Sequence, residues 1–281
     1  ITLILPAILA GGIFQINLLI DTIFASILET GSPTWLYVSD RLIQFPLGIF
    51  AIAIGTVLLP TLSKYDLNYE KNKFIQSIKN GQRFVLFIGI PSLIGLFFCA
   101  EDIISTIFYR GAFTKIDVIK SSYSLMAFSL GLPFFMLMKV LTPAFFSRKD
   151  TKTPMIVALI SLILNVLFNY FLAFVIGLGH VGIALGSSIA ALISVCILEI
   201  ILYKDGFIKL NSMFNKFNAM ILVASSFLII FLNFYSQSIN FIDLDQLDRI
   251  FFLVIEVTVA IFIYFSISRI IFGKPLKTIL E

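Results

Sequence analysis

Apolar runs of bilayer length, one after another and separated by short charged loops, decide what this chain can fold into. A membrane-crossing helix needs about 20 mostly apolar residues. Eight stretches meet that need, over roughly 3–28, 34–62, 82–108, 120–146, 154–176, 180–203, 216–236 and 249–272. None alternates polar and apolar residues as the strands of a membrane barrel do, so each is expected to be a helix that satisfies its own backbone. Only 13% of residues are charged, about half the share of a soluble domain. The expected fold class is therefore an all-α, polytopic membrane protein with eight transmembrane helices, and a soluble enzyme is excluded.

Loop charges orient the spans. With the N-terminus in the cytoplasm, fourteen lysines and arginines fall on the cytoplasmic side and four (Arg110, Lys115, Lys120 and Arg249) on the other. That bias predicts both ends of the chain inside. The charged stretch 63–83 reads either as a short amphipathic helix on the membrane surface or as a solvated connector. A break after the sixth span, at 204–216, is the one candidate boundary. The net charge of +4 is small and comes from loops, which argues against nucleic acid as a partner. Cys99 and Cys196 lie in apolar segments and give no disulfide framework, and one histidine, His180, rules out a multi-histidine metal site. No Walker loop, HExxH or serine–histidine–aspartate set is present, so no catalytic constellation and no ATP-driven transport by this chain is expected. The chain opens on Ile1 without an initiator methionine or a signal peptide, which points to a piece of a longer protein.

Against this apolar background, a few polar residues stand out. Arg41 lies inside the second span beside Asp40, and an arginine at that depth costs about 3 kcal/mol unless it faces protein or water. Adjacent side chains point about 100° apart on a helix, so the two are not expected to pair simply with each other. Gln44 shares the face of Arg41, and Pro46 and Gly48 loosen the helix just beyond. A charged patch beside a kink is the pattern of a transporter ligand site, and the arginine fork suits an oxyanion such as phosphate. The bland alternative is an arginine bonded to backbone carbonyls. Asp21, in QINLLIDTIFAS, needs a cation, a proton or a basic partner. Asn165 and Asn169 sit four apart on one helix face and offer amide oxygens of the kind hard cations accept; interhelical hydrogen bonding explains them equally. Lys139 either snorkels to the interface or contacts an anionic substrate. Glu199 reads as a snorkelling end residue, His180 as a loop residue, and Glu256 as a deep carboxylate without an evident partner. Gly182, Gly186, Ala190 and Ser194 form a small-residue stripe for close helix packing.

Four stretches carry a family resemblance: LPAILAGGIFQINLLIDTIFAS at 5–26, GSPTWLYVSDRLIQFPLGIFAIAIGTVLLPTLS at 31–63, YRGAFT at 109–114 and KVLTPAFFSRKDTKTP at 139–154. With these the chain resembles the C-terminal part of the MurJ (MviN) lipid II flippases, of the MOP superfamily. The resemblance implies a six-helix transporter lobe over 1–203, two additional helices over 204–281, and an N-terminal lobe outside this chain. It implies alternating-access movement of undecaprenyl-diphosphate-linked peptidoglycan precursor, lipid II, across the cytoplasmic membrane. On that resemblance Arg41 matches a cavity arginine thought to engage the diphosphate, Asp40 the acid before it, and Gln44 a position where some members carry glutamate. Asp21, Asn165 and Asn169 match positions proposed as a sodium site, with Ser187 a further ligand and Asn169 standing where some relatives have an acid. The last two helices resemble those thought to form a groove for the lipid tail. The partners implied are lipid II, membrane lipids and the N-terminal lobe; the only cofactor implied is a sodium ion. Two other readings compete: a related polysaccharide-lipid flippase or drug/cation antiporter of the same superfamily, and a non-transporting scaffold of the cell-wall machinery.

Overall fold

The computed structural model describes residues 4–208 and 216–272, which form helices and their connections, with no strand among them. The expected connector 204–216 thus lies largely outside the described residues, as do Lys274 and Lys277. Ten helices follow in order: α1 Ile4–Ile27, α2 Ser32–Ser63, α3 Lys71–Phe98, α4 Ala100–Phe108, α5 Lys115–Ser129, α6 Leu132–Phe146, α7 Lys152–Val175, α8 His180–Lys204, α9 Lys216–Ser238 and α10 Gln246–Phe272. Six of them are long and apolar enough to cross a membrane alone, and α5 with α6 makes a seventh span bent by 41°. With α1, whose apolar part runs to Ile27, they account for the eight expected spans.

Three boundaries differ from the sequence expectation. Residues 71–83 are neither a separate surface helix nor a connector; they are the opening turns of α3, which runs unbroken into the membrane. The third span breaks at Cys99, and α4 completes it. The fourth breaks at Leu130–Gly131, where Gly131 lies against Ser188 of α8 and a side chain would collide with its Oγ. Pro133 then opens α6 in the first turn, where a missing N–H costs nothing.

Packing places α8 at the centre, against α5, α6 and α7, while α1 lies on α7, α2 on α5 and α3 on α6. The small-residue stripe explains the closest of these approaches. A Cβ on Gly182 would come within 2.6 Å of the Leu172–Ala173 backbone of α7, and one on Gly186 would overlap the Asn169 side chain. Two ends of the bundle are tied by polar contacts. At one, Glu29 pairs with Lys120 at 3.0 Å, Trp35 donates to Asp117 at 2.7 Å, and Asp117 completes a capping box with Thr114. At the other, Arg148 pairs with Asp205 at 2.9 Å and stacks on Phe207, which Lys71 covers from a second direction. The last two helices lie against α3 and α4: Tyr264 donates to the Phe87 carbonyl at 2.7 Å, and Gln246 to that of Thr106 at 2.9 Å.

Two of the membrane-spanning helices that carry singled-out polar residues, α2 and α7, contain a π turn, at Leu47–Ile52 and Phe171–Val175. Pro46 has no N–H to bond the carbonyl four residues back, and its ring crowds that carbonyl, so the ladder widens immediately after it. Such single π turns concentrate at functional sites.

Candidate functional site

Three helices bring the expected cation-site residues together. Asn165 and Asn169 are one turn apart on α7 and are fully buried. The Asn169 amide nitrogen donates to Asp21 Oδ1 of α1 at 2.6 Å and to Asn165 Oδ1 at 2.9 Å. Asn165 in turn donates to Ser187 Oγ of α8 at 2.8 Å, and Ser187 donates to Asp21 Oδ2 at 3.3 Å. The four residues thus form a closed ring of hydrogen bonds around one carboxylate. Asn169 Oδ1 is left over: it is buried, has no hydrogen-bond partner, and lies against Gly186. Here the amide nitrogen does electrostatically what a small cation would do, presenting positive charge to two converging oxygens. A half-turn of that amide exchanges nitrogen for oxygen at almost no change in shape. It would turn the orphaned oxygen toward Asp21 and Asn165, giving a set of carboxylate, amide and hydroxyl oxygens of the kind that hard monovalent and divalent cations take. The residues therefore fit a small cation.

The second group shares a cavity of about 440 Å³ with the first. Asp21 and Ser187 line it together with Asp40, Gln44 and Lys139. Gln44 donates to Asp40, one turn before it. Ser39 anchors this part of α2 by donating to the Ser121 carbonyl of α5 at 2.8 Å. Leu36, Ile43, Phe128, Phe135 and Met138 give the cavity apolar walls, so the polar groups are few and directed. Arg41 does not line this cavity. It lies on the exposed flank of α2, with its guanidinium 4.8 Å above the Tyr37 ring and a long 3.5 Å contact to Gln44 Oε1. It is therefore neither paired with Asp40 nor bonded to backbone carbonyls in the hydrogen bonds of the described residues.

Two more residues line this cavity. Asn17, one of the residues that make the first span unusually polar, is one turn before Asp21, and its buried Oδ1 has no partner. Tyr37 is one turn before Arg41, the spacing at which a ring and a guanidinium stack on a helix. Other expectations need correction. His180 is not a loop residue: it opens α8, is 5% exposed, and shares a 2.7 Å hydrogen bond with Ser124. Glu199 does not reach for the interface but accepts from Gln82 of α3 at 2.9 Å. Arg249 is no solvated loop cation; it is 7% exposed and donates to the carbonyls of Phe241 and Ile242. Glu256 has a partner in Cys99, at 3.2 Å.

A polytopic helix bundle with π turns in two spans and a mainly apolar cavity carrying a few directed polar groups is an architecture of the membrane carriers as a class. A family profile described as "Lipid II flippase MurJ" matches residues 1–277, and the chain belongs to that family. A probable lipid II flippase MurJ of Haemophilus influenzae is 36% identical over 269 residues, 93% of this chain and 52% of that protein. One from Vibrio cholerae is 45% identical over 197 residues, 70% of this chain and 37% of the relative. Among solved structures, a lipid II flippase MurJ in an inward closed conformation matches with a TM-score of 0.77 at 28% identity, over 94% of this chain and 52% of that one. An outward-facing multidrug transporter of the MOP superfamily matches with a TM-score of 0.65 at 13% identity, over 95% of this chain and 61% of that one, which shows a shared fold alone. The chain spans about half or less of the length of these curated relatives.

Proposed function

We propose that this chain supplies the C-terminal half of a lipid II flippase: a six-helix lobe over 1–203 and two further helices over 204–281, working with an N-terminal lobe. The observation that carries the reading is one shared cavity on which Asp40 and Gln44, beside Arg41 on α2, and the cationic Lys139 converge with the cation-type residues Asp21 and Ser187, in a member of this family. Arg41 stands ten residues into α2, about 14 Å from its start, with its side chain exposed. At that depth an exposed guanidinium facing lipid would be costly. Its exposed flank therefore faces a watery chamber closed by the N-terminal lobe, where the fork can grip a diphosphate in two parallel hydrogen bonds. Lys139 adds a point charge from α6. The undecaprenyl tail stays in the bilayer, against the last two helices.

In this reading Asp21, Asn165, Asn169 and Ser187 hold a sodium ion, which supplies the positive charge that the Asn169 amide otherwise presents. The two π turns are the places where α2 and α7 bend as the lobes exchange access. One charge moved through 100 mV yields about 2.3 kcal/mol, so an ion gradient or the membrane potential can drive the change without ATP. The protein sits in the bacterial cytoplasmic membrane with both ends of this chain inside.

Depleting a bacterium's own lipid II flippase and supplying the complete protein that carries this chain tests the reading. Growth and normal cell shape are expected to return. Failure to rescue, with the protein inserted at normal levels, would leave the antiporter or scaffold readings.

A further inference from the structure

At the joint between α4 and α10 two carboxylates meet where an apolar interface would suffice. Asp102, in the first turn of α4, is 4% exposed, and Glu256, ten residues into α10, is 0% exposed. Both sit roughly 10–15 Å along their helices from the same end of the bundle. Cys99, at the α3–α4 break, directs its thiol to Glu256 Oε1 at 3.2 Å. One oxygen of each acid, Asp102 Oδ2 and Glu256 Oε2, is buried and has no hydrogen-bond partner.

No cation compensates them among the described residues. The ionisable groups acting on Asp102 are Glu256 and Glu101, both acids. Those acting on Cys99 are Glu256 and Asp102. Tyr235 of α9 faces the same three groups but commits its hydroxyl to the Phe252 carbonyl at 3.0 Å. Arg249, the buried cation of this joint, is turned to the Phe241 and Ile242 carbonyls and the Tyr109 ring. A carboxylate held away from water without a counter-charge takes up a proton sooner than it remains charged, and two acids sharing one site resist ionising together. A crevice of about 300 Å³ opens beside Asp102, lined also by Glu101, Ser236, Ser238 and Asn240. It leads to the end of the bundle that the charge bias puts outside.

We propose that Asp102 and Glu256 form a proton-binding site, reached from the outer face through this crevice, whose occupancy holds the α9–α10 hairpin against the lobe. With a proton bound, one carboxyl oxygen becomes a donor. With both acids ionised, two negative charges oppose each other across the α4–α10 contact, and the hairpin loosens as pH rises.

The test uses the complete protein in lipid nanodiscs. Infrared difference spectra of wild type against Glu256→Gln, and against Asp102→Asn, at neutral pH read a protonated carboxyl through its C=O stretch. A carboxylic-acid band lost in at least one variant is expected; its absence from both difference spectra overturns the proposal. The rate of Cys99 labelling by a neutral maleimide, divided by that of free N-acetylcysteine with the same reagent at each pH, reads hairpin contact with ordinary thiol ionisation largely cancelled. That ratio is expected to rise with pH by up to about tenfold per unit, the linkage limit for one proton, and to stay flat in the double variant. A flat ratio in wild type overturns the coupling, and this readout decides even if either variant fails to insert.

Discussion

Replacing Arg41 with alanine is expected to weaken lipid II binding by the complete protein roughly 10- to 100-fold while leaving insertion and thermal stability nearly unchanged. Hydrogen bonds to a charged group contribute about 1.5–3 kcal/mol, and tenfold corresponds to about 1.4 kcal/mol. The folded chain loses much less. Arg41 is exposed, its contact to Gln44 is long, and its one close partner is the Tyr37 ring, a cation–π contact of about 0.5–1 kcal/mol at an exposed site. Arg41→Lys keeps the charge but loses the fork, so it should fall between wild type and alanine. Lipid II titration of the purified protein checks the series. Equal affinity in wild type and Arg41→Ala would remove Arg41 from the substrate site.

The second large effect is expected at Asp21. Asp21→Asn keeps an acceptor for Asn169 but puts an amide nitrogen where Ser187 donates, so three of the ring's four hydrogen bonds survive and a modest stability loss is expected. It removes the only formal negative charge of the ring, and sodium affinity should drop at least about 10-fold, as charge count governs such sites. Because a ligand that binds only the folded form stabilises it by RT ln(1 + [L]/Kd), about 2.7 kcal/mol at a hundredfold excess over Kd, sodium should raise the melting temperature of wild type well beyond potassium. In Asp21→Asn the two salts should act alike. Asn169→Asp, which adds a second carboxylate and frees the orphaned position, should strengthen the sodium effect. A sodium shift that persists in Asp21→Asn would move the ion elsewhere.

Much of this arrangement was legible in the chain because the bilayer makes polar residues conspicuous. Asp21, Asn165 and Asn169 stood out as groups that lipid cannot satisfy, and the four-residue spacing of the asparagines put them on one face, where the structure joins them to Asp21. The glycine stripe of α8 announced close packing and delivers it against α7. What stayed hidden depends on contacts between distant segments. The break at Gly131 lies inside a run that remains apolar, so hydropathy passes over it, and at Cys99 only the pair Glu101 and Asp102 interrupts an otherwise apolar run. His180 looked like a loop residue beside Gly177 and Gly179, yet Ser124, fifty-six positions earlier, holds it inside the bundle. Arg249 counted as an outer charge because nothing local reveals that two carbonyls and the Tyr109 ring enclose it. Arg41 was read as a cavity wall; its position on the exposed flank of α2 follows from how α2 turns against α5, a contact between segments about 80 residues apart that local spacing does not encode.

Translocation in vesicles tests the central claim most directly. The complete protein, purified and reconstituted as the only protein, is given fluorescent lipid II in one leaflet, and its arrival in the other is read with an impermeant quencher. The account predicts protein-dependent arrival that is lost in Arg41→Ala and needs no ATP. Arrival no faster than in empty vesicles, or equally fast with Arg41→Ala, would contradict it.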